Sequence, residues 1–212
     1  LLFFPAEGGC IFCVRGRGLT PRTPSTFRSA FPFQVLQVPV LGPLEDDEPL
    51  VTEATLRRGM GTHRAARHFR NYWHRYPDGF AAFAQKIQQS WPGMEIEVPE
   101  LSVGLRGGIL HMFCREHRKT RELYWCGFGF QIWCQLLSHI SRAGPGHVLI
   151  VDEPETYLHP VVQRQLLQLF RETGAQVMIA SHSATLIASA DRGEVVGIDG
   201  SRTEACRYSH QG

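Results

Sequence analysis

The stretch that most restricts what this chain can become is Val148-Leu149-Ile150-Val151-Asp152-Glu153-Pro154-Glu155. Its four apolar residues show no polar alternation, so they read as a strand buried on both faces of a parallel sheet. The run ends in two adjacent carboxylates. In open α/β sheets ligands bind at the carboxyl ends of the strands, so Asp152 and Glu153 are delivered to the edge where chemistry is done. Pro160 can then start a helix with Val162, Leu166, Leu169 and Phe170 on one face and Gly174 as its stop. Val177-Met178-Ile179-Ala180 supplies a second strand, and residues 183–190 another helix. Strand, helix, strand, helix predicts a parallel crossover. Ser181-His182-Ser183 therefore brings a histidine out at the same sheet edge as the carboxylates.

Upstream the pattern is less regular. Residues 1–32 mix Gly, Pro, Arg, Ser and Thr with no sustained period, which predicts a poorly ordered arm. Phe33 to Val40 reads as a strand, closed by Gly42-Pro43 and followed by a polar connection containing Glu45-Asp46-Asp47-Glu48. From Thr52 to Ser90, Ala65, Phe69, Tyr72 and Trp73, then Phe80, Phe83, Ala84 and Ile87, recur at helical spacing. Two helices are expected there, broken at Pro77-Asp78-Gly79. Residues 95–98, 109–113 and 123–125 form short β-like runs, a small antiparallel patch. Phe128 to Ile140 reads as an apolar helix closed by Ala143-Gly144-Pro145-Gly146.

Composition narrows the function classes. The chain has 212 residues and a formal charge of +2, too small a surplus to imply a nucleic-acid or membrane partner by itself. No apolar run approaches the roughly 18 residues of a membrane span. Six cysteines are scattered without a secretory signal, which suits a reducing, cytoplasmic setting. Cys10-x-x-Cys13 and Cys114-x-x-His117 share a two-apart spacing but lack the surroundings of a small zinc module. Ser181 and Ser183 beside His182 lack the Gly-x-Ser-x-Gly elbow of a hydrolase. The chain begins at Leu1 rather than Met, a first hint that it is incomplete.

Taken with its neighbours, the segment from Val148 to Ala190 resembles the Walker B, D-loop and switch-histidine portion of an ABC-type ATPase. Its Glu-x-x-Leu-His-Pro wording is similar to the RecF/SMC-like and overcoming-lysogenisation-defect branch. The resemblance implies that Asp152 is the Mg²⁺ carboxylate, Glu153 the catalytic base and His182 the γ-phosphate sensor. It places Glu155, Leu158 and His159 in a loop that meets the opposing protomer. Cys126-Gly127-Phe128-Gly129-Phe130-Gln131 falls where such proteins carry their signature motif, making Gly127, Gly129 and Gln131 candidate contacts to ATP. Small residues at a helix N-terminus leave amides free for an anion. The usual signature serine is absent, with Cys126 or Phe128 in its place. Gln37 is the candidate glutamine-loop residue, ahead of Gln34.

The expected fold is α/β, a partial P-loop NTPase of the ABC type: a parallel sheet, a helical insert near residues 52–90 and a small antiparallel patch within a domain of residues 33–212. Expected ligands are ATP and Mg²⁺, and the expected partner is a second copy in a head-to-tail homodimer. No Gly-x-x-x-x-Gly-Lys-[Ser/Thr] loop is present, and Lys86 and Lys119 are the only lysines. The chain alone is therefore expected to be inactive, as the C-terminal part of an ATPase whose phosphate loop lies upstream or is lost. Two alternatives stand beside this reading. One is a non-catalytic dimerisation domain descended from such an ATPase. The other is a DNA-associated ATPase of repair or phage defence, suggested by Arg57, Arg58, Arg64, Arg67, Arg70 and Arg75 interleaved with Tyr72 and Trp73.

Overall fold

The computed structural model describes residues 2–3, 11–12, 24–30, 32–104, 107–191, 193–197 and 206–207. A three-stranded parallel sheet positions the site. His147–Asp152 lies in its centre, with Gln34–Val38 on one side and Gln176–Ala180 on the other. Val151 sits level with Val38 and Ile179, and Asp152 level with Ala180, so the carboxylate and histidine loops leave neighbouring strands at one rim.

Alternation along these strands separates two unlike faces. Leu149 and Val151 are fully buried, and Leu36, Val38, Val177 and Ile179 join the same core. On the other face Val35, Ile150 and Met178 are 54%, 40% and 56% exposed. The expectation of a strand buried on both sides is thus corrected: among the described residues only one face is covered. Phe128–Ile140 and Pro160–Glu172 both bury their apolar side chains in the cluster that holds Leu149 and Val151.

The helix Phe128–Ile140 forms where the sequence predicts it, and every residue from Phe130 to Ile140 is buried. Its polar side chains find partners in other layers. The Gln135 amide donates to Gly42 O at 2.9 Å, and Ser138 Oγ accepts from the Trp73 indole at 2.7 Å. The Trp133 indole donates to Ser90 Oγ at 2.7 Å. These bonds tie it to the helical insert, which comprises Glu53–Gly59, Phe69–Arg75 and Phe80–Ser90 rather than two helices. Pro77–Gly79 is a single 3₁₀ turn, and Trp73 stacks on Phe83 across it at 4.3 Å.

Two three-stranded antiparallel sheets lie beside the parallel one. Gly107–His111 pairs with Glu100–Gly104 and with Glu48–Pro49, while Phe113–Glu116 lies between Met94–Ile96 and Lys119–Glu122. Leu123–Trp125, expected as a strand, is a 3₁₀ turn because the Glu122 carboxylate accepts from Tyr124 N and caps it. Most of the arm expected over residues 1–32 lies outside the described residues, as do Cys10 and Cys13. Within it Leu2–Phe3 pairs with Ile11–Phe12, and Pro24–Ala30 is helical, an element the aperiodic composition did not suggest.

The acidic connection is not simply solvated. Glu48 is 1% exposed, and its carboxylate accepts from Arg70 N, Asn71 N and the Asn71 amide at 2.9, 2.6 and 2.9 Å. The fully buried Arg70 guanidinium bridges Glu48 and Glu122, at 3.4 and 2.7 Å. Burial raises the Glu48 carboxyl above its ordinary value, opposed by these donors. The basic run is correspondingly depleted, since Arg57 pairs with Glu53 and Arg67 with Glu45.

His139, near the end of the buried helix, supplies a pH test. Burial, then the nearby Arg142, pushes its imidazole down to about 3. Its folded value lies below the unfolded one, so the unfolded chain takes up the extra proton below about pH 6.5. His68, also lowered by burial and by Arg67, acts in the same sense. Stability is expected to fall by about 1.4 kcal/mol per pH unit between roughly pH 6.5 and pH 3 on account of His139. Urea denaturation across this range should show that slope, and His139→Gln should flatten it.

Candidate functional site

Beyond Asp152 the central strand turns sharply. The Glu153 amide still donates to Ala180 O at 2.9 Å, but Glu153 has φ 43° and Tyr157 φ 64°. Left-handed backbone at residues other than glycine costs roughly 1–2 kcal/mol each and persists only where surrounding contacts impose it. The turn aims the Glu153 carboxylate at the next strand's loop, where its Oε1 lies 3.3 Å from His182 Nδ1. Asp152 is exposed and makes no ion pair among the described residues. It shares a shallow crevice with Glu153, Pro39, Leu41, Ile132 and Leu136. Two carboxylates and an imidazole thus meet at one rim, all with solvent access.

Glu155 is placed differently. It is 8% exposed, and its Oε1 accepts from Ser181 Oγ, His182 N and Ser183 N at 2.7, 3.0 and 3.1 Å. Leu158 is buried too, and His159 caps the helix Pro160–Glu172 by accepting from Val161 N at 3.4 Å. Within the loop that the resemblance assigns to a protomer contact, Glu155 and Leu158 are buried against this chain and His159 is exposed, because the loop folds back on the histidine loop. Tyr157 faces outward, with its ring 5.9 Å from that of Phe128.

The signature-like segment adjoins this loop. Gly127 precedes the helix with extended backbone, and both Gly127 and Gly129 lie near solvent. A Cβ on Gly129 would sit 3.0 Å from Tyr157 O, so the close approach of loop and helix needs glycine there. Gln131 is not available to a ligand. It is fully buried, accepts from Leu44 N at 2.8 Å and donates to Tyr124 O and Cys126 O at 2.7 and 2.8 Å. Both its N–H groups and its carbonyl are spent on the protein, which corrects its expected role. Gln37 is exposed on the open sheet face, level with Ile150 and so two residues short of Asp152.

Three of the cysteines pack in the core. Cys114, Cys126 and Cys134 are buried and free. A thiol–thiol hydrogen bond lowers Cys126 and, with burial, raises Cys114; burial alone is the main cause that raises Cys134. Among the described residues no three His, Cys, Asp or Glu side chains converge as a metal site. Nor is any helix there long and apolar enough to cross a membrane.

Residues 18–188 match the family described as "AAA domain, putative AbiEii toxin, Type IV TA system". The chain belongs to this AAA domain family. The domain is similar to the Old nuclease of Escherichia phage P2, with 30% identity over 124 residues, 50% of this chain and 21% of the nuclease. It therefore spans about a fifth of that relative. Two solved structures share its fold. One, from work on ATP-driven dimerization and DNA-stimulated activation of SMC ATPases, aligns with TM-score 0.51 and 16% identity over 66% of this chain and 89% of its own. The other, an SMC head bound to the C-winged helix domain of ScpA, aligns with TM-score 0.52 and 14% identity over 77% and 51%. The family match and these likenesses place the domain with the ABC-type P-loop ATPases of the RecF/SMC/OLD branch.

The two glycines give contrasting expectations. Gly129→Val should destabilise the AAA domain by about 2 kcal/mol, since even its Cβ crowds a backbone oxygen. Gly127→Val, whose Cβ meets nothing within 4 Å, should cost at most about 1 kcal/mol. Chemical denaturation of the two variants checks the difference.

Proposed function

We propose that this chain supplies the water-activating and phosphate-sensing part of an ATP-hydrolysing site. The observation that carries the reading is the approach of Glu153 to His182, 3.3 Å apart, beside a free Asp152 at the end of the central strand. In this reading Glu153 orients the attacking water and accepts its proton, as a carboxylate at an exposed rim can. His182, aligned by its contact with Glu153, donates to the transferred phosphoryl group. Asp152, exposed at the strand end, suits Mg²⁺, a hard cation that takes one or two carboxylates and keeps part of its hydration shell. When bound, that ion would neutralise charge on the β- and γ-phosphate oxygens.

The amides at Gly127 and Gly129 open a helix of 13 residues and suit the γ-phosphate held by a second copy, which makes the functional unit a head-to-tail homodimer. Gln37 serves as the glutamine-loop residue if its strand end is drawn toward the metal site. The working domain comprises residues 33–212. The lysine-bearing phosphate loop is not among these 212 residues, so the reading requires it from elsewhere in the assembled ATPase. DNA contact is a lesser extension of the proposal, because Arg57, Arg67 and Arg70 are already paired with carboxylates.

In the ATPase that joins this chain to a phosphate loop, Glu153→Gln should leave MgATP affinity within about threefold and slow phosphate release by about 10²–10⁴-fold. Release at the wild-type rate would contradict the assignment. His182→Ala should lower turnover in the same assay.

A further inference from the structure

We propose that Glu155 is a positioning residue which holds His182 opposite Glu153, so that movement of the loop after the central strand is transmitted to the histidine. Its kinetic consequence rests on the ATPase reading above; the structural clamp does not. The His182 side chain is 77% exposed, so packing does not fix it. Its location depends on its backbone, whose His182 amide is held by one oxygen, while the Ser183 amide is shared between that oxygen and Ser181 Oγ at 3.0 Å. Glu155 Oε1 receives the amides of His182 and Ser183 and the Ser181 hydroxyl, and lies 3.9 Å from His182 Nδ1. Hydrogen bonds to a carboxylate are the stronger class, and burial shields these from competing water.

A second stitch runs parallel to the first. Ser183 Oγ caps the following helix by accepting from Leu186 N at 3.3 Å and donates to Gln163 Oε1 at 2.7 Å. Gln163 Nε2 in turn donates to Leu158 O at 2.8 Å. The loop carrying Glu155 and Leu158 and the loop carrying His182 therefore move as one body. Tyr157, 56% exposed and in left-handed backbone, is the outward-facing point of that body. A contact pressing on Tyr157 shifts the loop, and Glu155 passes the shift to His182.

The test uses the 212-residue chain and reads amide hydrogen exchange with the ¹⁵N signal of the His182 imidazole. Glu155→Ala should speed exchange at His182 and Ser183 by about 10- to 100-fold and move the imidazole signal toward that of a free side chain. Exchange at Leu149 and Val151 should stay slow, showing that the fold is intact. Glu155→Gln, whose Oε1 still accepts, should restore most of both readouts. If Glu155→Ala does not fold, Ser181→Ala removes one donor and should give a smaller change of the same sign. Unchanged protection at His182 and Ser183 in the folded variants overturns the clamp. In the assembled ATPase, Glu155→Ala should lower kcat at constant KM, with rescue by Glu155→Gln. If Glu153→Gln stops turnover while Glu155→Ala does not, the positioning role is overturned and the ATPase reading stands. If Glu153→Gln also leaves turnover intact, the ATPase reading fails, and the exchange data alone decide the clamp.

Discussion

Gln131, in the first turns of a helix with almost no solvent-facing side, joins three pieces of chain: the loop after the first sheet strand at Leu44, the turn at Tyr124 and the helix start at Cys126. A buried primary amide costs free energy unless both its donors and its acceptor are used, and here all are. Along the same helix the Gln135 amide donates to Gly42 O, Ser138 Oγ accepts from the Trp73 indole of the insert and the Trp133 indole donates to Ser90 Oγ. The helix Phe128–Ile140 is thus both the centre of the apolar core and the bolt that fixes the insert, the small sheets and the parallel sheet to one another. The signature-like glycines stand at its N-terminus, so their placement against the carboxylate loop depends on this bolt.

Charge is used in two different ways. Glu48, Arg70 and Glu122 form a buried system whose work is structural, since removing Arg70 leaves two desolvated carboxylates without their cation. At the rim, Asp152, Glu153 and His182 stay accessible to solvent. Glu155 stands between these cases, a buried carboxylate whose one oxygen shapes the exposed loop beside it. The division follows from dielectric: a group that holds backbone in place is strongest away from water, while a group that exchanges protons needs it.

The sheet carries the same lesson about incompleteness of cover. Its strands have the β-rich composition of segments packed on both sides, and its fold is shared with SMC head structures. Within the described residues one face presents Val35, Ile150 and Met178 to solvent. Apolar patterning records what a strand is suited to pack against; it does not show which layer is there to do so.

Much of the last third was legible in order. The apolar run into Asp152-Glu153, the helix from Pro160 stopped at Gly174, the second strand and the histidine after it all have local causes, namely periodicity, proline at a helix start and glycine at φ 68°. Those local causes sufficed to put Asp152 and His182 at one sheet edge. The sequence could not assign Gln131 or Glu155, because a glutamine or glutamate reads alike whether it meets ligand, solvent or a distant amide. Nor could it show that Arg70 leaves a basic run to neutralise Glu48, or that Leu123–Trp125 turns instead of extending. By itself the sequence determined the parallel crossover and the arrival of two carboxylates and a histidine at its rim, since both arise from neighbours along the chain. Tertiary structure alone decided which polar side chains are spent holding the fold, because their partners lie up to 93 residues away and only close packing brings them within hydrogen-bond reach.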